Sequence, residues 1–454
     1  MMNALERRST FALSSIFALR MLGLFMIIPV FAVAGQTYQY ATPALLGFAV
    51  GVYGLSQAIL QIPFSLWADR FSRKPLVVIG LLLFALGGAI AAMSHTIYGV
   101  ILGRAIAGAG AVSAVVMALL ADVTREENRT KAMAAMGMSI GLSFVVAFSL
   151  GPWLTHLVGI SGLFWVTTIM GLAAIVMLLL VPKTTRHHRN FQHGYLKQLK
   201  HVLKMPDLNR LHFSIFSLHL LLTAMFIYVP SQLIRYADIP LEKHGLVYLP
   251  LLLIGVICSF PSIIVAEKYR KMRSIFLGAI VGVVVGLLVL VFGYQSKYSL
   301  LLGLGIFFVA FNVMEALLPS WLSKAAPIQS KATAMGVNAS AQFLGAFFGG
   351  TLGGQLLMLH NTSTGWSILV GIAMIWALVS FGLQQPRYLS SLILRLPEGK
   401  QTDEWTSQLL AIHGIEEVVV MLDEQVAYVK LDKKQLDETA RQHLTHLLGK
   451  ELVI

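Results

Sequence analysis

Long apolar segments separated by short polar loops recur twelve times along this 454-residue chain. A helix needs about 20 apolar residues to cross the hydrocarbon core of a bilayer, and each segment is near that length. Only 12% of the residues are charged, which is about half the share found in soluble domains. These features predict an all-α polytopic membrane protein with transmembrane helices at residues 10–34, 44–66, 76–94, 97–120, 132–156, 163–182, 211–234, 245–266, 274–293, 298–320, 332–357 and 365–384.

The distribution of basic residues predicts how these helices are oriented. In the first half, the odd-numbered loops (35–43, 95–96 and 157–162) contain no Lys or Arg, whereas the even-numbered loops and the amino terminus are basic. Because basic loops remain cytoplasmic, both termini are expected inside. The second half fits less well, since Arg235, Lys243 and Lys297 fall on the outer side. We interpret the net charge of +13 as a topology signal, and nucleic-acid binding is not needed to explain it.

The two halves of the membrane part contain similar segments. Residues 118–137 and 316–336 both carry Ala-Leu-Leu, then a polar loop, Lys-Ala and Ala-Met-Gly. Both segments join the fourth and fifth spans of their half; the alternative is a chance match between apolar sequences. A parallel repeat predicts six-helix bundles at 1–182 and 211–386, joined by a linker at 183–210. Within the linker, residues 195–204 are either an amphipathic helix on anionic lipid headgroups or a solvated basic segment.

The last part of the chain, residues 387–454, is no longer a membrane sequence. It alternates predicted strands (389–396, 416–422, 425–431 and 452–454) with predicted helices (402–412 and 434–448). This β-α-β-β-α-β order predicts a small α+β domain of the ferredoxin-like type. The chain's single cysteine is Cys258 in the eighth span, so no Cys-x-x-Cys metal site is expected. No cofactor is expected, and the domain is predicted to bind an unknown ligand or partner.

A compact polar segment, Ser65–Lys74, separates the second and third spans. It resembles the loop between those helices in transporters of the major facilitator superfamily, which runs roughly Gly-x-Leu-Ala-Asp-Arg-x-Gly-Arg-Lys. Here two glycines are replaced by serine and the leucine by tryptophan. The resemblance implies a conformational switch in which a charge cluster with Asp122 locks the outward-facing state, and the matching residues are Asp69, Arg70, Arg73 and Lys74. The alternative is a basic loop that only sets topology.

Two further segments resemble this family. Arg104 with Gly108 and Gly110 resembles the fourth-helix pattern whose arginine is linked to proton coupling; the alternative is a structural arginine bonded to carbonyl groups. Gly151-Pro152, with Gly141 upstream, resembles the fifth-helix pattern of drug/proton antiporters. Proline removes a backbone donor, so a helix kink is expected there.

Charged residues inside membrane spans are functional candidates because they are costly to bury. Arg20 lies about 16 Å along the first span by helical rise, and its expected partner is an anionic substrate group or a buried carboxylate. Glu315 beside Asn312 is a candidate protonation site, or else a hydrogen-bonded structural residue. His219 is a weaker proton candidate, and a core histidine is the alternative.

Small residues four apart allow helices to approach closely. Gly47 and Gly51 in the second span are expected to form an outer gate with the eleventh span, or else to pack toward lipid, and the eleventh-span residues are Gly345, Gly349 and Gly353. Helical spacing also assigns several side chains to a central cavity, namely Tyr53, Gln57, Phe307, Asn338 and Gln342.

The resemblance covers the whole chain and includes the soluble domain, which is typical of bacterial YajR-type transporters. It implies a proton-coupled secondary transporter of the inner membrane that exports lipophilic or amphipathic compounds by alternating access. The expected partners are a small-molecule substrate, protons and the lipid bilayer. No phosphate-binding loop is present, and no enzymatic activity is expected. The alternatives are a metabolite or sugar uptake symporter and a membrane sensor that acts through its carboxyl-terminal domain.

Overall fold

The computed structural model describes residues 2–182, 195–386, 388–395, 402–421, 426–432 and 435. Side chains of a few residues inside these ranges are not described, including those of Asp69 and Arg70. The first half of the membrane part consists of α1 (Ala4–Ala34), α2 (Pro43–Arg70), α3 (Arg73–Met93), α4 (Ile97–Ala109), α5 (Ser113–Asp122) and α6 (Glu126–Leu178).

The predicted fourth span is broken into α4 and α5 at residues 110–112. A Cβ atom on Gly110 would lie 2.2 Å from the carbonyl oxygen of Gly80 in α3, so only glycine permits this close contact. Val112 fills the space next to the break and is 1% exposed. The break therefore starts a new helix at Ser113, near the middle of the bundle.

The predicted fifth and sixth spans form one element, α6, of 53 residues. A straight helix of that length would be about 80 Å long, which is more than twice the thickness of the hydrocarbon core. The element is in fact two helices joined at Gly159, whose φ of +71° and ψ of 176° interrupt the helical backbone. Pro152, where the sequence predicts a kink, keeps helical dihedral angles; the interruption lies seven residues later.

The second half begins with a short surface helix, α7 (Tyr195–Leu203), and continues through six long helices. These are α8 (Pro206–Ala237), α9 (His244–Lys268), α10 (Met272–Gly293), α11 (Lys297–Ala325), α12 (Lys331–Leu356) and α13 (Thr362–Phe381). Ten segments of the described chain are long and apolar enough to cross a membrane. One of them contains both arms of α6, and α12 adds another, which gives the predicted twelve.

Helix α7 has the amphipathic character predicted for the linker. Lys197 and Lys200 are exposed, as is Lys204 just after the helix, whereas Val202 is fully buried. The Thr333 hydroxyl of α12 donates a hydrogen bond to the side-chain oxygen Oε1 of Gln198 at 2.9 Å. The helix is thus attached to the start of α12 by one face. The predicted linker residues 183–194 lie outside the described part of the chain.

The soluble domain contains a three-stranded antiparallel sheet in the order β1-β3-β2. Its elements are β1 (Ser390–Arg395), α14 (Thr402–Leu410), β2 (Ile415–Met421) and β3 (Val426–Leu431). The buried side chains of β3 pack against Leu409 of α14 and form a small separate core. This arrangement agrees with the first four elements of the predicted ferredoxin-like domain. Its predicted last helix and strand lie outside the described residues.

The two halves meet at one end of the bundle through glycines of α2 and α12. A Cβ atom on Gly47 would lie 2.3 Å from the Gly350 carbonyl oxygen, and one on Gly354 would lie 2.4 Å from the Pro43 carbonyl oxygen. We call this the glycine end. The opposite end, which contains Arg73, Arg125 and Lys324, is called the basic end.

The glycines predicted for the eleventh span contact a different helix. A Cβ atom on Gly345 or Gly349 would lie 2.2 Å from a carbonyl oxygen of α8, and Gly353 contacts Ala224 of the same helix. These residues therefore pack α12 within its own half. The contact with α2 uses the adjacent face of α12, which contains Phe347 as well as Gly350 and Gly354.

Helices α6 and α9 add a second contact between the halves. A Cβ atom on Gly245 of α9 would lie 2.0 Å from the Ser149 carbonyl oxygen of α6. Nearby, the rings of Phe148 and Phe226 have centroids 3.9 Å apart. Gly151 is packed against Met26 of α1, but Gly141, expected to serve helix packing, has nothing within 4 Å of its Cβ position.

The soluble domain is bound to two loops at the basic end of the second half. Lys430 Nζ donates to the Ala326 carbonyl oxygen at 2.8 Å, and Glu417 accepts from the Ile328 amide at 3.0 Å. Asp432 pairs with Arg270 of the α9–α10 loop at 3.3 Å. The domain thus spans the α9–α10 and α11–α12 connections.

Candidate transport cavity

A cavity of about 1640 Å³ lies between the two halves and extends from the middle of the bundle to the basic end. Helices of both halves line the cavity. Each half forms one wall, and the two halves are in contact at the glycine end. At the basic end it reaches Asp122 and Arg125, whose side chains are 39% and 55% exposed. The structure is therefore closed at the glycine end and open at the basic end.

The first wall contains a polar network around Arg20, which is 2% exposed. Its guanidinium donates from Nη1 to Ser113 Oγ at 2.6 Å, and from Nη2 to Tyr53 Oη at 3.2 Å and Gln57 Oε1 at 3.1 Å. The expected buried carboxylate partner is absent among the described residues. Arg20 and Gln57 lie behind the wall, whereas Tyr53 and Ser113 line the cavity.

Arg104 is 3% exposed and lies on the other side of Tyr53. It donates to the carbonyl oxygens of Ala49 and Val50 in α2, both at 3.3 Å. Its guanidinium carbon lies 4.9 Å from the centroid of the Tyr53 ring. These contacts join α4 to α2, and they correspond to the structural alternative for this residue. Its predicted part in proton coupling stays a prediction.

The second wall brings together Glu315, His219 and Gln342 from three helices. His219 Nδ1 lies 3.2 Å from the Ile215 carbonyl oxygen, which can only accept, so Nδ1 carries the hydrogen. His219 Nε2 is therefore the acceptor for Gln342 Nε2 at 2.7 Å. Glu315 Oε2 lies 3.7 Å from that same Nε2 and has no hydrogen-bond partner in the described structure.

Asn312, predicted to accompany Glu315, also lines the cavity, and its amide donates to the Phe308 carbonyl oxygen at 2.8 Å. The predicted cavity residues Tyr53, Asn338 and Gln342 line the cavity as well. Phe307 and Gln57 do not. Phe307 is fully buried in the core of the second half, and Gln57 is fully buried behind the first wall, where it accepts from Arg20. Helical spacing assigned the correct helices but could not give the rotation of each one.

Aromatic side chains line the middle of the cavity between these two polar groups. Phe144 lies with its ring centroid 6.1 Å from that of Phe311 and 6.3 Å from that of Phe226. Phe25 contacts Phe144 edge-on at 5.1 Å. The cavity therefore offers an apolar surface with an arginine-supported polar group on one side and a His–Glu group on the other.

The predicted switch residues lie at the basic end of the cavity. Arg73 forms an ion pair with Asp122 and donates to the Ala118 carbonyl oxygen at 2.7 Å. Lys74 donates to the Val181 carbonyl oxygen. The Arg73–Asp122 pair is thus present while the basic end is open, so it is not confined to a conformation closed there. The side chains of Asp69 and Arg70 lie outside the described structure.

Sequence reasoning missed a buried carboxylate at the basic end. Glu6, 3% exposed, accepts from the backbone amide of Arg125 at 2.9 Å and from its Nε at 3.0 Å. Asn128 Nδ2 donates to the same carboxylate at 3.1 Å. Asn3 caps α1 and completes a capping box with Glu6. The Asn-x-x-Glu spacing at the start of an apolar run was the available signal.

A second ion pair lies at the basic end of the other half. Lys324 Nζ of α11 lies 2.8 Å from both carboxylate oxygens of Glu267 in α9, and Ser320 donates to Glu267 at 2.6 Å. Each half therefore ties its helices together with charged groups at this end. Both groups are within a half, and neither connects the two halves.

The sequence comparisons agree with this architecture. Residues 13–350 match the Major Facilitator Superfamily. The chain belongs to the Major Facilitator Superfamily. Residues 392–448 match the YajR YAM domain. The chain is 43% identical to the "Inner membrane transport protein YajR" of Escherichia coli K12, over 96% of this chain and 98% of that protein. The resemblance predicted from the sequence is confirmed.

More distant relatives show how widely this scaffold is used. A Bacillus subtilis protein, "Multidrug resistance protein 2", is 26% identical over 80% of this chain and 94% of its own length. Among solved structures, the D-xylose-proton symporter matches with a TM-score of 0.70 and 16% identity, over 84% of this chain and 98% of its own. That likeness shows the fold alone. As a Major Facilitator Superfamily member, the protein is a secondary transporter of small molecules and not an enzyme.

Proposed function

We propose that this transporter is a proton-coupled antiporter of a bacterial inner membrane that exports amphipathic or lipophilic compounds. The observation that carries the proposal is the group of His219, Glu315 and Gln342 in the second wall of the cavity. A titratable pair in the water path of a transporter is the usual site of proton exchange. The apolar middle of the cavity fits a substrate with an apolar body.

The His–Glu pair offers two arrangements that differ by one proton. In the present arrangement, His219 Nε2 accepts a hydrogen bond from Gln342 and therefore carries no hydrogen. A proton on His219 Nε2 abolishes that acceptor and directs an N–H toward Glu315 Oε2, which lies 3.7 Å away.

Gln342 links this exchange to the contact between the halves. It lies on α12, the helix that also contacts α2 through Gly350 and Gly354. When His219 gains a proton, Gln342 can no longer donate to it. The Gln342 amide then either turns its oxygen toward the new N–H or gives up the contact between α12 and α8. Protonation of His219 therefore stabilises one packing of α12 more than another. A proton can shift the balance between two conformations only if it stabilises them unequally in this way.

The orientation of the transporter follows from its basic end. We assign this end to the cytoplasm, because basic loops remain inside, and the E. coli relative is described as an inner membrane protein. The cavity would then take up a compound from the cytoplasm. Rocking of the halves would close the basic end and open the glycine end to release the compound outside.

The test compares the wild type with Glu315→Gln in proteoliposomes that contain a pH-sensitive dye. Three probes with one aromatic body would be supplied: 2-naphthoate, 2-naphthamide and 2-naphthylmethylammonium. We expect substrate-dependent proton flux in the wild type and a reduction of at least about tenfold in the variant. Exchange of labelled substrate at equal concentrations should persist in the variant, because exchange requires no net proton transfer.

Glu242→Gln is the matched control, since that carboxylate is exposed in the short turn before α9. It should keep the wild-type proton flux. Equal proton flux in Glu315→Gln and the wild type would contradict the proposed proton site. Substrate movement without any proton flux would instead indicate a uniporter or another coupling ion.

A further inference from the structure

The guanidinium of Arg20 determines how two hydroxyl groups of the cavity wall can bond. Its Nη1 donates to Ser113 Oγ and its Nη2 donates to Tyr53 Oη. Gln57 Nε2 makes a longer contact with Ser113 Oγ at 3.5 Å. A hydroxyl can donate one hydrogen and accept two. Both hydroxyls are therefore used as acceptors, and Ser113 has both of its acceptor positions filled.

The hydrogens of these two hydroxyls have no acceptor among the described residues. Neither side chain donates a hydrogen bond to another described residue, although Tyr53 is 2% and Ser113 8% exposed. Both residues line the cavity. Because adjacent nitrogens of one planar guanidinium hold them, the two hydroxyls lie side by side. They present paired O–H donors to whatever occupies the cavity.

The surroundings of this donor pair are positively charged. Arg20 and Arg104 are both nearly fully buried, and neither forms an ion pair within the described structure. Arg104 also lies over the Tyr53 ring at 4.9 Å, which places a second positive charge next to this phenol. Buried charges are normally paired, so two arginines with only neutral partners leave a site that favours an anion.

We propose that Tyr53 and Ser113 bind the carboxylate of an amphipathic organic acid. The two oxygens of a carboxylate match two adjacent O–H donors, and charge-assisted hydrogen bonds of this kind are the strong ones. The apolar body of the substrate would lie against Phe144 and Phe311. This inference rests on the proposed function only in using the same cavity as the transport site; it does not depend on proton coupling.

Equilibrium binding tests the inference without transport. Calorimetry on the full chain in detergent would compare 2-naphthoate with 2-naphthamide and 2-naphthylmethylammonium, which share one aromatic body and differ in charge. We expect the carboxylate to bind most tightly. Tyr53→Phe and Ser113→Ala should each weaken its binding about tenfold or more, since each removes one hydrogen bond to a charged group. Binding of the amide should change much less.

Two variants outside the cavity serve as controls. Tyr38→Phe removes a buried phenol near the glycine end, and Ser143→Ala removes a buried hydroxyl that donates to carbonyl groups of α1 and α6. Both should bind 2-naphthoate like the wild type. A merely structural role for Tyr53 or Ser113 would lower the affinity for all three probes equally and would overturn the proposal.

Other results would also contradict the inference. Tighter binding of the cation than of the carboxylate would do so, as would the absence of carboxylate binding up to millimolar concentrations. These outcomes are separate from failure of the proposed proton coupling. A transporter that binds 2-naphthoate through Tyr53 and Ser113 but moves no protons would retain this inference and lose the coupling.

Discussion

Glu6 illustrates how much one residue can organise at the basic end. Its carboxylate is buried and accepts hydrogen bonds from Asn3, Arg125 and Asn128. The start of α1 is thereby attached to the start of α6, about 120 residues later. The capping box was visible in the sequence, but its partner was not, because a contact over that distance depends on how the helices pack.

Replacing this carboxylate tests the attachment. Glu6→Gln keeps the size of the side chain but loses the charge that Arg125 satisfies. We expect a lower thermal unfolding midpoint in detergent, by several degrees, because Arg125 loses its ion-pair partner. Glu242→Gln, an exposed carboxylate outside this cluster, should leave the midpoint unchanged. Equal midpoints for Glu6→Gln and the wild type would show that the attachment contributes nothing to stability.

Arg104 allows its two interpretations to be separated. Arg104→Lys keeps a positive charge but cannot reach both carbonyl oxygens with one planar group. The structural role predicts a loss of about 1.5–3 kcal/mol in stability, measured as a lower unfolding midpoint, together with reduced transport. A variant with the wild-type midpoint and no proton flux would instead support the role in proton coupling that the family resemblance implies.

The sequence predicted where the membrane-spanning helices lie along the chain better than it predicted how those helices pack against one another. Apolar length placed all twelve spans, because burial in lipid requires about 20 residues whatever the neighbours are. It did not predict the break at 110–112, which depends on the contact between Gly110 and Gly80. Nor did spacing decide which glycine face of α12 meets α2. Two faces of that helix are rich in small residues, and only the partner helix distinguishes them.

The contact between α2 and α12 should control which end of the cavity is open. In Gly47→Ala the new methyl group would lie 2.3 Å from the Gly350 carbonyl oxygen. Such overlap costs about 1–3 kcal/mol, so we expect the glycine-end-open population to rise about tenfold. Spin labels at Tyr40→Cys and Met358→Cys, both exposed, would report it as longer distances in a Cys258→Ser background.

Gly278→Ala is the control for this experiment. Its Cβ position has nothing within 4 Å, so the added methyl group should leave the distance distribution unchanged. If Gly47→Ala gave the same distribution as Gly278→Ala, the glycine contact would not determine the conformational equilibrium.

For the molecule as a whole, the sequence predicted two membrane halves and a soluble domain. It did not predict how the soluble domain is attached to the second half. The repeat and the change in composition defined the parts. The domain's position depends on single contacts between residues far apart in sequence, such as Lys430 with Ala326 and Asp432 with Arg270. Tyr388 contributes a hydrogen bond to the Ala266 carbonyl oxygen. Burial raises the pKa of Tyr388 above that of an exposed phenol.

A charge reversal at one loop tests whether the domain is attached as a unit. Arg270→Glu should repel Asp432 and release the domain. The other loop would then lose its contact too, so the Ile328 amide, bonded to Glu417, should exchange hydrogen for deuterium at least about tenfold faster. Arg235→Glu is the control, because Arg235 lies in the last turn of α8, away from the soluble domain. It should leave the exchange rate of the Ile328 amide unchanged. Unchanged exchange at Ile328 in Arg270→Glu would mean that the two contacts are independent.

In the part of the chain that the structure describes, the soluble domain is attached to the second half, and this attachment has a consequence for imaging. The two halves contain equal numbers of spans and resemble each other in projection, so a detergent-embedded particle offers few features for alignment. The soluble domain is bound to the α9–α10 and α11–α12 loops and lies outside the micelle, so it marks the position of the second half. Its displacement between two images then measures how far that half has turned, without any antibody fragment or fused marker.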